Sequence, residues 1–138
     1  MLHDSLHPRL WPAVCAALAV LLALARLSAQ PPVVVAQATD ENGVAALQAR
    51  LDWQRRYLLQ IDGPPGTPFT ARYMEVYVSR QPASGGSGNR NGSLEGQTPY
   101  ELELVAPAPQ LLYWRFSIVA STADNTPLTV RILDAGPS

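Results

Sequence analysis

The chain has 138 residues, ten basic and eleven acidic groups and a formal net charge of −1, enough length for one modest hydrophobic core and without the basic excess that nucleic-acid binding needs. Every basic group is Arg, both His (His3 and His7) and the one Cys (Cys15) lie near the start, and from residue 30 onward the sequence holds no Cys, His or Lys. That inventory excludes internal disulfides, Cys or His metal sites, and Ser-His, Cys-His or Schiff-base catalysis in the main part of the chain.

Residues 1–29 read as a leader, an N-terminal hydrophobic helix that serves as signal peptide or membrane anchor. Leu10 to Ala25 is an uncharged, mostly apolar run of sixteen residues between Arg9 and Arg26. As a helix it rises about 24 Å, short of the ~30 Å hydrocarbon core, which suits a signal-peptide apolar region better than a full span. A cut after Ala29 leaves eight Arg against ten acidic groups, a net charge of −2. If the segment is retained, Leu10 to Ala29 is the candidate membrane tether. Either way the leader implies an extracytoplasmic location, periplasmic or extracellular.

Residues 30–42 form a Pro- and Val-rich spacer. Val33, Val34 and Val35 are β-branched and make a candidate first strand before the turn signal Asp40-Glu41-Asn42-Gly43. From residue 43 to the end the sequence reads as one β-sandwich domain. Its first segment, 44–61, has two readings. Val44, Leu47, Leu51, Leu58 and Ile61 suit a helix, but that template misplaces Trp53, Tyr57 and Leu59 on its polar side. Period two keeps Leu47, Ala49, Leu51, Trp53, Tyr57, Leu59 and Ile61 on one face, with a break at Arg55 that predicts two strands and a turn near Gln54-Arg55-Arg56.

Gly63 to Pro68 is a Pro- and Gly-rich connection. Phe69 to Arg80 alternates, and its polarity predicts Met74, Val76 and Val78 inside with Tyr73, Glu75 and Tyr77 outside. Residues 81–98, with five glycines and Leu94 as the one bulky apolar residue, predict a flexible loop. Three further strands are carried by Tyr100, Leu102 and Leu104, by Leu112, Trp114, Phe116 and Ile118, and by Leu128, Val130 and Ile132. The expected fold class is all-β, a small sandwich of about six or seven antiparallel strands.

The remaining chemistry is thin. Asp52, Asp62, Glu75, Glu101 and Glu103 are the candidate carboxylates, each on a polar face or at a strand end where solvation explains it. Asp40 to Asn42 and Asp124-Asn125 offer oxygen ligands but read as Asx turns rather than calcium loops. The glycine run 85–92 lacks the Lys-Ser/Thr ending of a phosphate loop, and Asn91-Gly92-Ser93 matches the N-glycosylation triplet. No cofactor, metal or catalytic residue is expected, and nucleic acid is not an expected partner.

Trp53, Tyr57, Trp114 and Phe116 are predicted core. Tyr73, Tyr77 and Tyr113 fall on the polar faces and are the candidate binding residues, as a protein-contact patch or a stacking platform. The leading expectation is a non-catalytic exported module acting on a protein partner, such as an accessory subunit at the outer face of a membrane complex. Two alternatives stand beside it: a carbohydrate-binding module using these tyrosines, with a glycan as partner, and a small carboxylate-dependent hydrolase.

Overall fold

The computed structural model describes residues 31–80 and 86–138. The expectations for the leader, including its helix, lie outside the described residues, as does the stretch 81–85. Among the described residues no helix is long and apolar enough to cross a membrane.

Eight strands are present: β1 (Val33–Asp40), β2 (Val44–Leu51), β3 (Arg55–Asp62), β4 (Pro68–Ser79), β5 (Ser87–Gln97), β6 (Tyr100–Leu104), β7 (Leu111–Ser121) and β8 (Leu128–Pro137). They form two antiparallel sheets of four, in the orders β1-β8-β3-β6 and β2-β7-β4-β5. Successive strands alternate between the sheets except at the β4–β5 hairpin, so first pairs with last, second with seventh, third with sixth and fourth with fifth. This is the jelly-roll arrangement of a β-sandwich.

The core follows from period-two alternation. Tyr57, Leu59 and Ile61 of β3 and Leu128, Val130 and Ile132 of β8 face Trp114, Phe116, Ile118 and Ala120 of β7, all buried. Trp114 meets Tyr57 edge-on at 6.1 Å between ring centroids, an arrangement that suits the ring quadrupoles. The β2–β3 segment is strand throughout, as period two predicts. Its turn lies at Asp52–Gln54, two residues before the expected place, and Arg55 opens β3. The Asp52 carboxylate fixes that turn by accepting the Gln54 amide at 2.9 Å, and the Tyr57 hydroxyl accepts the Asp52 amide at 2.9 Å.

Three expectations are corrected. The segment 81–98 is not a loop over most of its length: Ser87–Gln97 is strand β5, paired with β4 at eleven register positions. Backbone hydrogen bonding to β4 supplies what the side chains of β5 lack. Second, the two faces of β4 are reversed. Tyr73, Glu75 and Tyr77 point inward, with Tyr73 and Tyr77 packed on the core and Glu75 buried, while Met74 is 40% exposed. Third, Leu112 sits where the register shifts between β4 and β7 and is 59% exposed.

The reversal on β4 has a cause in β5. Phe69, Tyr73 and Tyr77 recur every four residues, and they lie directly opposite Gly96, Gly92 and Gly88, which recur with the same spacing. Each ring covers the space a side chain would take. A Cβ on Gly88 would come within 2.7 Å of the Tyr77 hydroxyl, and one on Gly92 would overlap the Tyr73 ring. Rings inward and glycines opposite them satisfy both strands at once. The charge at Glu75 is met by Arg90, its direct cross-strand partner, whose Nη2 donates to both carboxylate oxygens at 3.1 and 2.8 Å and to the Val105 carbonyl at 3.3 Å.

Candidate functional site

The two outer faces of the sandwich differ in kind. On the β1-β8-β3-β6 sheet the polar side chains satisfy one another: Arg131 pairs with Asp62 and donates to Gln37 at 3.3 Å, Gln60 donates to Glu101 at 3.0 Å, and the Thr39 and Thr129 hydroxyls meet at 3.1 Å. At the end of the same sheet, Arg55 Nε donates to Asp134 at 2.5 Å. Arg131 and Arg55 are thus paired within this solvated surface, while Arg56 and Glu103 are exposed on it without an ion pair.

The Arg55–Asp134 pair gives a pH dependence. The Arg55 hydrogen bond, helped by the Gly136 amide and opposed by desolvation, holds the Asp134 carboxyl below the ordinary carboxylate range. A carboxyl that binds its proton less readily folded than unfolded adds stability above the unfolded value of about 3.9, and that stability is lost as pH falls through the folded value. Asp134→Asn will therefore flatten the acid limb of the stability curve as pH falls below the ordinary carboxylate range of about 4, as read by thermal melts at stepped pH. An unchanged limb would place the acid sensitivity elsewhere.

The outer face of the β2-β7-β4-β5 sheet is built differently. Its register lays side chains in rows across the strands: Val44, Ser121, Thr70 and Glu95; then Ala46, Val119, Arg72 and Ser93; then Gln48, Ser117, Met74 and Asn91; then Arg50, Arg115, Val76 and Asn89; and last Tyr113, Val78 and Ser87. Small residues occupy the middle rows on β2 and β7, with long side chains flanking them. The result is a groove of about 630 Å³ over Ala46, Gln48, Arg72, Met74, Asn91, Ser117 and Val119. No acidic side chain lines it.

Arg55, Arg90 and Arg131 are ion-paired, whereas Arg50, Arg72 and Arg115 on this face, like Arg56 and Arg80 elsewhere, have no carboxylate partner among the described residues. Arg50 lies directly opposite Arg115, and both guanidinium groups sit over the Tyr113 ring, at 4.8 and 5.6 Å from its centroid. With its amide turned so that the oxygen rather than the nitrogen faces the guanidinium, Gln48 accepts from Nε and Nη1 of Arg115 at 3.1 and 3.2 Å. A ring in contact with two cations offsets part of their repulsion, by about 0.5–1 kcal/mol at an exposed site. It also fixes where the guanidinium planes lie.

Of the three tyrosines expected at a binding site, Tyr113 lies on this outer face. Tyr73 and Tyr77 turn inward, Tyr73 stacking on Phe116 at 5.7 Å and 20° between ring planes. The arginines that accompany Tyr113 were not among the expected site residues, because an Arg on a polar strand face is ordinary until the register shows what stands opposite it.

The candidate carboxylates are dispersed. Asp62 is held by Arg131 and Glu101 by Gln60 on the opposite sheet, Glu103 is exposed on that sheet, Glu75 is inside with Arg90, and Asp52 caps a turn. Among the described residues no group of three or more His, Cys, Asp or Glu is placed to hold a metal ion. Asp40 accepts the Asn42 amide at 2.5 Å as an Asx turn.

No protein-family profile matches the chain, and no curated protein does. Solved structures similar to it include a family two carbohydrate esterase from Cellvibrio japonicus (12% identity, 80% of this chain, TM-score 0.46). Others are a xylan-binding domain from Paenibacillus barcinonensis (13% identity, 72% of this chain and 74% of that one, TM-score 0.35) and a family 11 carbohydrate-binding module from Clostridium thermocellum (12% identity, 78% and 82%, TM-score 0.34). The chain spans 32% of the length of the esterase.

Proposed function

We propose that this protein is a non-catalytic, exported module that binds a glycan across the outer face of the β2-β7-β4-β5 sheet. The observation that carries this reading is the groove over the middle rows of that face, lined by Arg72 and followed by Arg50 and Arg115 one row along and Tyr113 in the row beyond, the three arginines having no carboxylate partner among the described residues. Sugars are recognised by flat rings against their C–H faces and by planar, multidentate donors to their oxygens. Arg50, Arg72, Arg115, Gln48 and Asn91 supply the donors, and Tyr113 holds the Arg50 and Arg115 guanidinium groups in place. Tyr73 and Tyr77 act from beneath, holding the edge strand β5 that bounds the groove. The residues left without chemistry fit binding rather than turnover. The apolar run Leu10 to Ala25, read as a leader, fits an extracytoplasmic module.

The test is a glycan array followed by calorimetry with the full chain. Tyr113→Ala is expected to weaken the best-bound glycan by about tenfold or more, the equivalent of ~1.4 kcal/mol. Silence across the array, or an unchanged Kd for the variant, would sink the reading.

A protein partner on this same face, as for an accessory subunit of a membrane complex, is the second reading. It is favoured by Met74 and Val119, which stand 40% and 49% exposed in adjacent rows. In-cell cross-linking that recovers a discrete partner, lost with Val119→Arg, would support it. Recovery of none would remove it.

A further inference from the structure

We propose that the ligand of this face is an anionic glycan whose sugars carry carboxylates, a hexuronate chain laid along the groove between Arg72 and the Arg50–Arg115 pair. The inference rests on the glycan reading above and adds to it the charge of the sugar.

The chain as a whole is slightly acidic, at a net charge of −1, yet this face carries three arginines against one carboxylate, Glu95. Glu95 stands in the outermost row opposite Thr70, outside the groove lining. Asp52 lies past Arg50 at the strand end and is occupied by the Gln54 amide. On the opposite sheet Arg55 and Arg131 are paired with Asp134 and Asp62, and Arg56, which has no ion pair, has the acidic Glu103 beside it in one surface hollow. Cations are therefore concentrated on one side of a protein that has enough acids to cancel them.

Arg50 directly opposite Arg115 is an arrangement that opposes folding, since like charges across a strand pair repel. A surface serving solubility alone gains nothing from it. A bound anion turns it into an attraction. Both guanidinium groups are pre-set on Tyr113, and Gln48 engages Nε and Nη1 of Arg115, leaving its Nη2 donors unused. Arg is also the residue whose planar fork matches a carboxylate with two parallel hydrogen bonds, where Lys offers a point charge. The domain uses Arg throughout and no Lys.

The spacing calls for a chain rather than a single small acid. Arg72 is level with Val119 and Arg50 with Arg115, four residues further along β7. Four residues of strand span about 13 Å. One carboxylate cannot reach both ends, whereas successive uronates on an extended oligomer can. Between the ends lie Ser117, Gln48 and Asn91, hydrogen-bonding groups that suit the hydroxyls of the intervening sugars.

The test compares each acidic oligomer with its own ester, the same backbone without the charge, and with neutral and sulfated controls. The full chain is titrated calorimetrically with galacturonate and mannuronate oligomers, with the same oligomers fully methyl-esterified, with a neutral β-glucan oligomer and with a dextran sulfate oligomer, which carries sulfates and no carboxylate. At least one free acid is expected to bind roughly tenfold or more tightly than its ester. The gap is expected to narrow as salt rises from about 0.1 M to 1 M and the screening length falls from ~10 to ~3 Å. The double variant Arg50→Gln/Arg115→Gln, and separately Arg72→Gln, should bring the acid towards the affinity of its ester. Arg56→Gln on the opposite sheet should not. Equal binding of acid and ester, or tighter binding of the sulfated oligomer, overturns the uronate inference and leaves the glycan reading standing. No binding by any of the oligomers overturns both.

Discussion

Replacing Arg90 by Met is expected to destabilise the folded domain by about 2–3 kcal/mol, less than the ~3–5 kcal/mol of a fully enclosed ion pair because half of the Arg90 side chain is in water. The cost comes from what is left behind. Glu75 is 4% exposed and sits inside the sandwich beside Tyr73 and Phe116, where a lone carboxylate has neither water nor a counter-charge. Arg90 is the group that reaches it from the edge strand, and the same guanidinium also donates to the Val105 carbonyl. Removing Glu75 instead leaves a cation that can turn to solvent, so Glu75→Leu costs less. The double variant Glu75→Leu/Arg90→Met is expected to recover most of the loss, as paired apolar replacements of buried ions do. Urea unfolding of the three variants checks this. A double variant no better than Arg90→Met would mean that the pair acts through the shape of β5 rather than through charge.

Gly92→Val carries the other large effect, about 3 kcal/mol, at the upper end for overpacking a filled site. A Cβ at this position overlaps the Tyr73 hydroxyl and comes within 2.6 Å of its Cε1. The ring has nowhere to retreat, since it stacks on Phe116, itself 1% exposed. Ser93→Val, one residue along and on the outer face, should shift stability by less than about 0.5 kcal/mol. Adding Tyr73→Leu to Gly92→Val should return part of the loss, because the two positions share one space. If Gly92→Val melts with the parent protein, the ring-over-glycine account of β4 and β5 is wrong.

That account also explains which parts of the fold were legible in the residues. β3 and β8 were readable because Tyr57, Leu59 and Ile61, and Leu128, Val130 and Ile132, stand against polar neighbours, so one face alone can be buried. β4 has large apolar surface on both faces, and polarity then favours the wrong one: Met74, Val76 and Val78 look more apolar than two tyrosines and a glutamate. The deciding information is in β5, where glycines at 88, 92 and 96 match the spacing of Phe69, Tyr73 and Tyr77. Taken alone, those glycines read as a flexible loop, so both errors share one origin. The same holds for the site. Tyr113 is visible as an aromatic residue on a polar face, but nothing within β2 or β7 alone says that Arg50 stands opposite Arg115. Pairing partners far apart in sequence create that feature.

The nesting of the eight strands, first with last and inward to the β4–β5 hairpin, bears on how the chain assembles. Thr39 and Thr129, bonded across the outermost pair, are separated by ninety positions, and closing so wide a circuit directly is entropically unfavourable and slow. If the central hairpin zips first, every later pair bridges ends already drawn together. The glycine strand of that hairpin, which puts no fully buried side chain into the core, is then the one on which the order of assembly turns.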